Sequence, residues 1–288
     1  MAKGINAVAG ALMRGQNNEW HLALFHKSLY VFLLLKVFCL WPLFGDLLAY
    51  QPFTYHSWAS YVLFAPLVLT KVHVSLFLAL FVVLLATGMA LRPNYVTAFL
   101  ICWFSISLSR LSLPVINGSD LVLNLLLIIA MALPARPRFP SPVGGPIQTA
   151  ISNMALLFGQ VQLTLIYLLS GYDKLMAASW RSGAAIDSIN HLVFFHNPSV
   201  TVSLNGTACL LLGWSVILFE LAFPFLVWFQ RFRRKLLVVG LAFHAVIAVV
   251  LGLADFALVM VIGYGLYLPF KKNPPLDFSG PPATACGS

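Results

Sequence analysis

Apolar residues run through this chain in long, nearly unbroken stretches, near 20–43, 73–91, 95–112, 119–133, 148–171, 207–229, 236–252 and 255–270. A bilayer core takes about 20 consecutive apolar residues per helix, so these stretches predict about eight membrane spans. A shorter run, Trp58–Thr70, is interrupted by Pro66 and reads as an interfacial or re-entrant segment. The predicted fold class is all-α, a polytopic transmembrane helix bundle over 20–270. A cytosolic segment, 1–19, precedes it, and a Pro-rich cytosolic tail, 271–288, is expected to be disordered. The first apolar run is full length with no separate short hydrophobic core before it, so no cleavable signal peptide is expected.

Composition agrees with this pattern. Of 288 residues 60% are hydrophobic and only 9% are charged, too apolar for a soluble domain of this length. The net charge of +9 is distributed by topology and does not form a nucleic-acid footprint. With the N-terminus inside, the inner side collects Lys3, Arg14, Arg92, Arg136, Arg138, Arg231, Arg233, Arg234, Lys235, Lys271 and Lys272. The outer side keeps Lys71, Arg110, Lys174 and Arg181. That bias predicts N-in and C-in with an even number of spans; the expected location is an inner (plasma) membrane. Cys39, Cys102, Cys209 and Cys286 have neither metal nor redox spacing, and no metal is expected. Membrane lipids are the expected surroundings.

Polar residues inside the spans then carry the chemistry. Asn153, Gln160, Thr164, Tyr167, Gly171 and Lys174 follow one another at intervals of seven, four, three, four and three residues, one face of a helix. Facing lipid, the amides would go unsatisfied, so the stripe should look into the bundle or a wet cavity. Ordinary hydrogen bonding between helices is the first account of such a stripe, and a binding face is the functional alternative. Asn117, Asp120 and Asn124 form a second stripe, for which a helix cap with a favourable charge is a sufficient structural account.

Lys36, Glu220 and His244 lie deeper. An ionisable residue at that depth costs at least about 2.5 kcal/mol unless paired, so partners are expected. The plain expectation is a Glu220–His244 hydrogen bond, with Lys36 snorkelling or pairing with Glu220; a proton path is the functional alternative. Lys174, at the outer end of its stripe, is either a charged interfacial anchor or a desolvated amine able to take a proton. Asp46, Asp120, Asp173, Asp187 and Asp255 also fall at that face. The outer segment Tyr172–Gly206 adds Trp180, Arg181, His191, His196 and Asn197, and Trp180–Phe195 is predicted to form an amphipathic helix lying on the membrane.

Tyr167-x-x-Ser170-Gly171-x-x-Lys174-Leu175, followed by Trp180, resembles the segment of vitamin K-dependent γ-carboxylase that holds its catalytic lysine, a pattern shared by bacterial membrane proteins of the HTTM (horizontally transferred transmembrane) type. Phe25-His26-Lys27, Gly88-Met89-x-Leu91, Asn117-Gly118-Ser119, Glu220 and Phe243-His244 resemble further family segments in the same order, over roughly residues 20–270. The resemblance implies that Lys174 stands where the carboxylase lysine deprotonates vitamin K hydroquinone, with His244 in the same active region and Glu220 in support. Lys174, His244, Glu220 and Asn117 are therefore the candidate catalytic residues. Tyr167, Asp120, Gln160, Trp180 and His191 are the candidate substrate-binding ones.

Two departures shape the expectation. The carboxylases carry a histidine where this chain has Gly118, and the sequence to Ser288 offers no counterpart to their large lumenal domain. The expected activity is quinol or other lipid-substrate chemistry in an outward-facing cavity, with γ-carboxylation of a protein not expected. A non-enzymatic accessory subunit of a peptide-maturation system, with a protein partner or peptide substrate, is the alternative. A proton-coupled transporter comes third, with no repeat or broken-helix pair to support it.

Overall fold

The computed structural model describes residues 19–49, 57–69, 74–91, 94–112, 117–133, 144–192 and 203–268, and among these every regular element is helical. In chain order they are α1 (Glu19–Leu40), α2 (Phe44–Ala49), α3 (Trp58–Leu63), α4 (Ala65–Leu69), α5 (Val74–Ala90), α6 (Tyr95–Leu111) and α7 (Gly118–Met131). There follow α8 (Gly144–Met176), α9 (Ala178–Arg181), α10 (Ala184–His191), α11 (Gly206–Leu226), α12 (Gln230–Val250) and α13 (Ala254–Tyr264). The eight predicted apolar stretches coincide with α1, α5, α6, α7, α8, α11, α12 and α13. The tail 271–288, the loop residues Lys71, Arg92, Arg136 and Arg138, and His196, Asn197 and Cys286 lie outside the described residues, as does nearly all of segment 1–19.

By length and composition, His21–Leu47, Ile147–Met176 and Gly206–Leu226 can cross a bilayer, while Ser75–Ala90, Tyr95–Leu111, Gly118–Met131 and Ala254–Tyr267 are shorter apolar helices. Side chains such as Val83, Leu121, Leu211, Leu218, Phe225 and Val238 are exposed along these helices, a surface that water would penalise and hydrocarbon would not.

Asparagine starts several helices. Asn94, Asn117 and Asn205 each precede a helix in extended backbone, and each side-chain oxygen accepts a first-turn N–H: Thr97 at 3.0 Å, Ser119 at 2.7 Å and Ala208 at 2.8 Å. Such a cap is worth about 1 kcal/mol. The core is built around α7, which packs against α1, α6, α8 and α13. Phe77 of α5 stacks on Phe104 of α6 with ring centroids 5.3 Å apart, and the buried His26 of α1 reaches the Ala130 carbonyl of α7 at 2.9 Å. Lipid tails are as apolar as leucine, so close packing and such hydrogen bonds hold the helices together.

Three local expectations change. Within the run Trp58–Thr70 the described residues form two short helices, α3 and α4, joined at Phe64, whose break exposes carbonyls; the Trp103 indole N–H donates to those of Val62 and Leu63 at 3.0 and 2.9 Å. The fifth apolar stretch continues as helix through Met176, placing Lys174 in the last turn of α8, where a cation faces the negative end of the helix dipole. The predicted helix over Trp180–Phe195 is divided into α9 and α10, and 193–195 lie outside the described residues. Gly183 makes the division. Its φ of 82° is the left-handed conformation, and a Cβ there would stand 2.6 Å from the backbone nitrogen of Leu210 on α11.

Candidate functional site

Helix α8 carries its polar stripe toward its neighbours. Thr164, Tyr167 and Gly171 are buried, and Gln160 and Lys174 are half-buried, whereas Leu165 and Leu169 between them are exposed. The partner helix is chiefly α11. At their closest approach Gly171 leaves room for the Glu220 side chain, since a Cβ on Gly171 would meet the Glu220 Cβ at 3.0 Å. On α11 the residue four beyond Glu220 is Pro224, which has no N–H to give the Glu220 carbonyl and so weakens the helix next to the acid.

Lys174 uses that opening. Its Nζ donates to both carboxylate oxygens of Glu220, at 2.9 and 2.8 Å, and to the Ser170 hydroxyl at 2.5 Å, and it lies 5.1 Å from the centre of the Trp180 ring. The Lys174 and Glu220 side chains are 19% and 8% exposed, which makes this a sheltered ion pair with little solvent screening.

A second constellation lies two helical turns inward, about 10 Å along α8. The buried Tyr167 hydroxyl is 2.7 Å from His244 Nε2 on α12 and 2.5 Å from the Tyr264 hydroxyl on α13. Phe223 stacks on the Tyr167 ring at 4.1 Å, and Phe219 meets it edge-on. His244 Nδ1 is buried without a hydrogen-bond partner among the described residues.

The third constellation gathers at the start of α7. Asn117 and Asp120 form a reciprocal capping box, in which the Asn117 N–H donates to Asp120 Oδ2 at 3.2 Å. Asp120 Oδ1 accepts from Lys36 of α1. The Asn117 amide and the Ser119 hydroxyl donate to Asp255 Oδ2 of α13, at 2.6 and 2.8 Å. Asn124 extends the stripe, accepting from Ser105 and donating to Ser109 of α6.

These contacts redistribute the expected pairs. Glu220 is bound to Lys174 and not to His244 or Lys36; Lys36 finds Asp120, and His244 finds Tyr167. Each charge has taken the nearest opposite charge across a helix interface, and the neutral tyrosine hydroxyl is left for the imidazole. Of the predicted site residues, Lys174, Glu220 and Trp180 come together, Tyr167 and His244 form a second group, and Asn117 and Asp120 a third. Gln160 lies apart, donating to the Leu266 carbonyl at 2.6 Å. His191 is exposed on α10, with its Nδ1 2.8 Å from the Asp187 carbonyl oxygen.

Tyr264 belongs to the second group and carries no signal in the sequence pattern, while Ser170, Ser119 and Asp255 join these groups without being among the candidate site residues. Ser170 had a signal, because it stands four residues before Lys174 on the same helical face. Among the described residues no group of three His, Cys, Asp or Glu is placed to hold a metal ion.

Residues 142–271 match the family model of the HTTM domain, a span that contains the first two constellations and Asp255. No curated protein and no solved structure matches the chain.

Proposed function

We propose, from the premise that this chain carries an HTTM domain at residues 142–271 and is a membrane protein of that family, that it is an integral membrane enzyme that takes a proton from a lipid-soluble substrate of the quinol class. In this reading eight helices cross an inner membrane with both termini cytosolic, and Lys174 works near the outer face. The observation that carries the proposal is the sheltered ion pair of Lys174 with Glu220 at the end of the α8 stripe.

The pair suggests its own proton accounting. Moving one proton from the ammonium to the carboxylate leaves a neutral amine and a neutral acid, a state that a low-dielectric setting penalises little. The amine then accepts the proton of a substrate O–H and becomes an ammonium again. In the net step Glu220 has gained the substrate's proton, and Lys174 has exchanged a carboxylate for the substrate oxyanion. A positioned base of this kind contributes about 10²–10⁴-fold to rate. Trp180 offers a flat apolar face beside the ammonium for a ring substrate.

Purified protein in liposomes, supplied with a reduced naphthoquinone and oxygen, tests the reading through oxygen uptake and mass spectrometry of the product. Lys174→Arg keeps the charge and the ion pair but cannot relay a proton, because arginine does not deprotonate. Turnover by the wild type with at least about a hundredfold loss in Lys174→Arg is expected. Equal turnover in the two proteins, or none in the wild type with every quinol supplied, would overturn the proposal.

The accessory-subunit reading keeps one observation in its favour. Glu220 and Ser170 already occupy the three N–H donors of Lys174, as a clamp between α8 and α11 would require. It predicts full function for Lys174→Arg and a stoichiometric protein partner on purification.

A further inference from the structure

A cleft of about 680 Å³ opens between α1, α12 and α13, away from the Lys174–Glu220 pair. Leu24, Leu237, Leu241 and Ile262 give it hydrocarbon walls, and Arg233 and Arg234 stand at one end. Its size falls within the roughly 300–1,000 Å³ range of ligand clefts. No acidic residue lines it, and the first turn of α12 contains none. Arg231 and Lys235 flank the two arginines on the same turns of α12 without lining the cleft, which adds to the positive field near its end.

Arg233 is fixed in place. Its Nε donates to the Val227 carbonyl at 2.9 Å and one terminal nitrogen to that of Trp228 at 3.3 Å, which leaves further guanidinium donors. Arg234 is exposed. A small soluble anion would use the arginines and leave the apolar walls without an occupant. A neutral lipid would fill the walls and leave the charge unanswered. The occupant that matches both is amphiphilic and negatively charged.

We infer that this cleft binds an anionic diacyl phospholipid, with an acyl chain along Leu237 and Leu241 and the headgroup phosphate between Arg233 and Arg234. Basic pockets between membrane helices recognise phosphate headgroups in this way. The inference rests on the reading that α1, α12 and α13 lie in a bilayer. Tyr264 both lines the cleft and bonds Tyr167, so the bound lipid touches a residue of the inward hydrogen-bonded group.

The test places the full chain in nanodiscs of phosphatidylcholine doped with phosphatidylglycerol and measures, by native mass spectrometry, which lipid stays bound. Wild type is expected to retain phosphatidylglycerol preferentially. One arginine near a membrane surface contributes about a fivefold preference, so Arg233→Gln with Arg234→Gln together should lose roughly 25-fold. Because Arg233 also holds the end of α11, Arg234→Glu alone is the second variant; it touches an exposed side chain and should still lower retention by more than about fivefold. Leu241→Trp, which fills the cleft, should reduce retention of phosphatidylglycerol with both arginines intact.

Equal retention of the two lipids by the wild type, or unchanged preference in Arg234→Glu and in the double variant, would overturn the inference. Displacement of the lipid by inorganic phosphate alone would do so too, because it would mark a free-anion site. Failure of the bilayer reading would appear separately, as protein recovered without membrane or detergent.

Discussion

Lys174 and Glu220 are forty-six residues apart and meet through both carboxylate oxygens, at 2.9 and 2.8 Å, where Gly171 lets α8 and α11 approach. The contact joins the two helices and provides the charges on which the proposed chemistry depends. Both roles draw on the same shelter from water, since an ion pair strong enough to hold helices is also one whose proton can move with little change in solvation.

Removing one member of the pair should cost more than removing both. Lys174→Met leaves a carboxylate, and Glu220→Gln an ammonium, without its counter-charge; each loss is expected to be about 3 kcal/mol. The double variant should recover much of that, because two neutral side chains need no pairing. Thermal unfolding in detergent measures the cycle, and strictly additive single losses would contradict it.

Tyr167 stands between two groups, and Tyr264 at the end of the chain. Tyr167→Phe strips a hydrogen bond from both His244 Nε2 and the Tyr264 hydroxyl, leaving buried polar atoms that cost about 1–3 kcal/mol each. Tyr264→Phe leaves the Tyr167–His244 bond in place. The first variant should therefore unfold at a lower temperature than the second, and the reverse order would rule out this arrangement.

Two glycines should respond differently to a methyl group. At Gly183 an alanine would be strained by φ of 82° and would meet the Leu210 backbone nitrogen at 2.6 Å, an atom fixed in helix α11. At Gly171 the contacts are longer, 3.0 Å to the Glu220 Cβ and 3.1 Å to the Leu221 side chain, and a shift of helix α11 by a few tenths of an ångström with a turn of the leucine relieves them. Gly183→Ala is expected to lower expression and melting temperature sharply, and Gly171→Ala mildly. If Gly171→Ala proved the more damaging in the same thermal assay, the close approach at α10 and α11 would not be limiting.

Helices were the most legible part of the sequence, because an apolar run of membrane length has few other solutions. The α8 stripe was equally legible, since spacing alone puts Gln160, Tyr167 and Lys174 on one face. Partner choice was not. Periodicity orients a residue on its own helix but says nothing about which neighbour it meets, so depth alone pairs Glu220 with His244, whereas Lys174 reaches it from the helix end. The depth of Lys36 also points to Glu220, whereas the packing of α7 against α1 offers Asp120. Gly183 falls inside the predicted helix Trp180–Phe195, and its left-handed conformation beside the α11 backbone is a tertiary contact that helical periodicity does not report.

Asp120 in the first turn of α7 and Asp255 in the first turn of α13 bring two carboxylates to one cluster, yet their neutralisation should differ. Asp120 accepts the Asn117 N–H and also pairs with Lys36, whose side chain is only 12% exposed. Asp120→Asn can keep the cap through its remaining oxygen but leaves the Lys36 ammonium without a counter-charge, at a cost of about 2.5–3.5 kcal/mol for a lysine at membrane depth. Asp255 accepts from three neutral donors, the Asn117 amide and Ser119 hydroxyl on one oxygen and the Phe256 N–H on the other, and an asparagine oxygen can still serve the first two. Asp120→Asn should therefore lower the melting temperature more than Asp255→Asn. Adding Lys36→Met should rescue the first and change the second much less, because Asp120 bonds the ammonium directly whereas Asp255 feels it only as a neighbouring charge. Rescue of both variants would mean that Lys36 is shared between the two acids, and rescue of neither would mean that the cap, and not the ion pair, sets the stability of this end of the bundle.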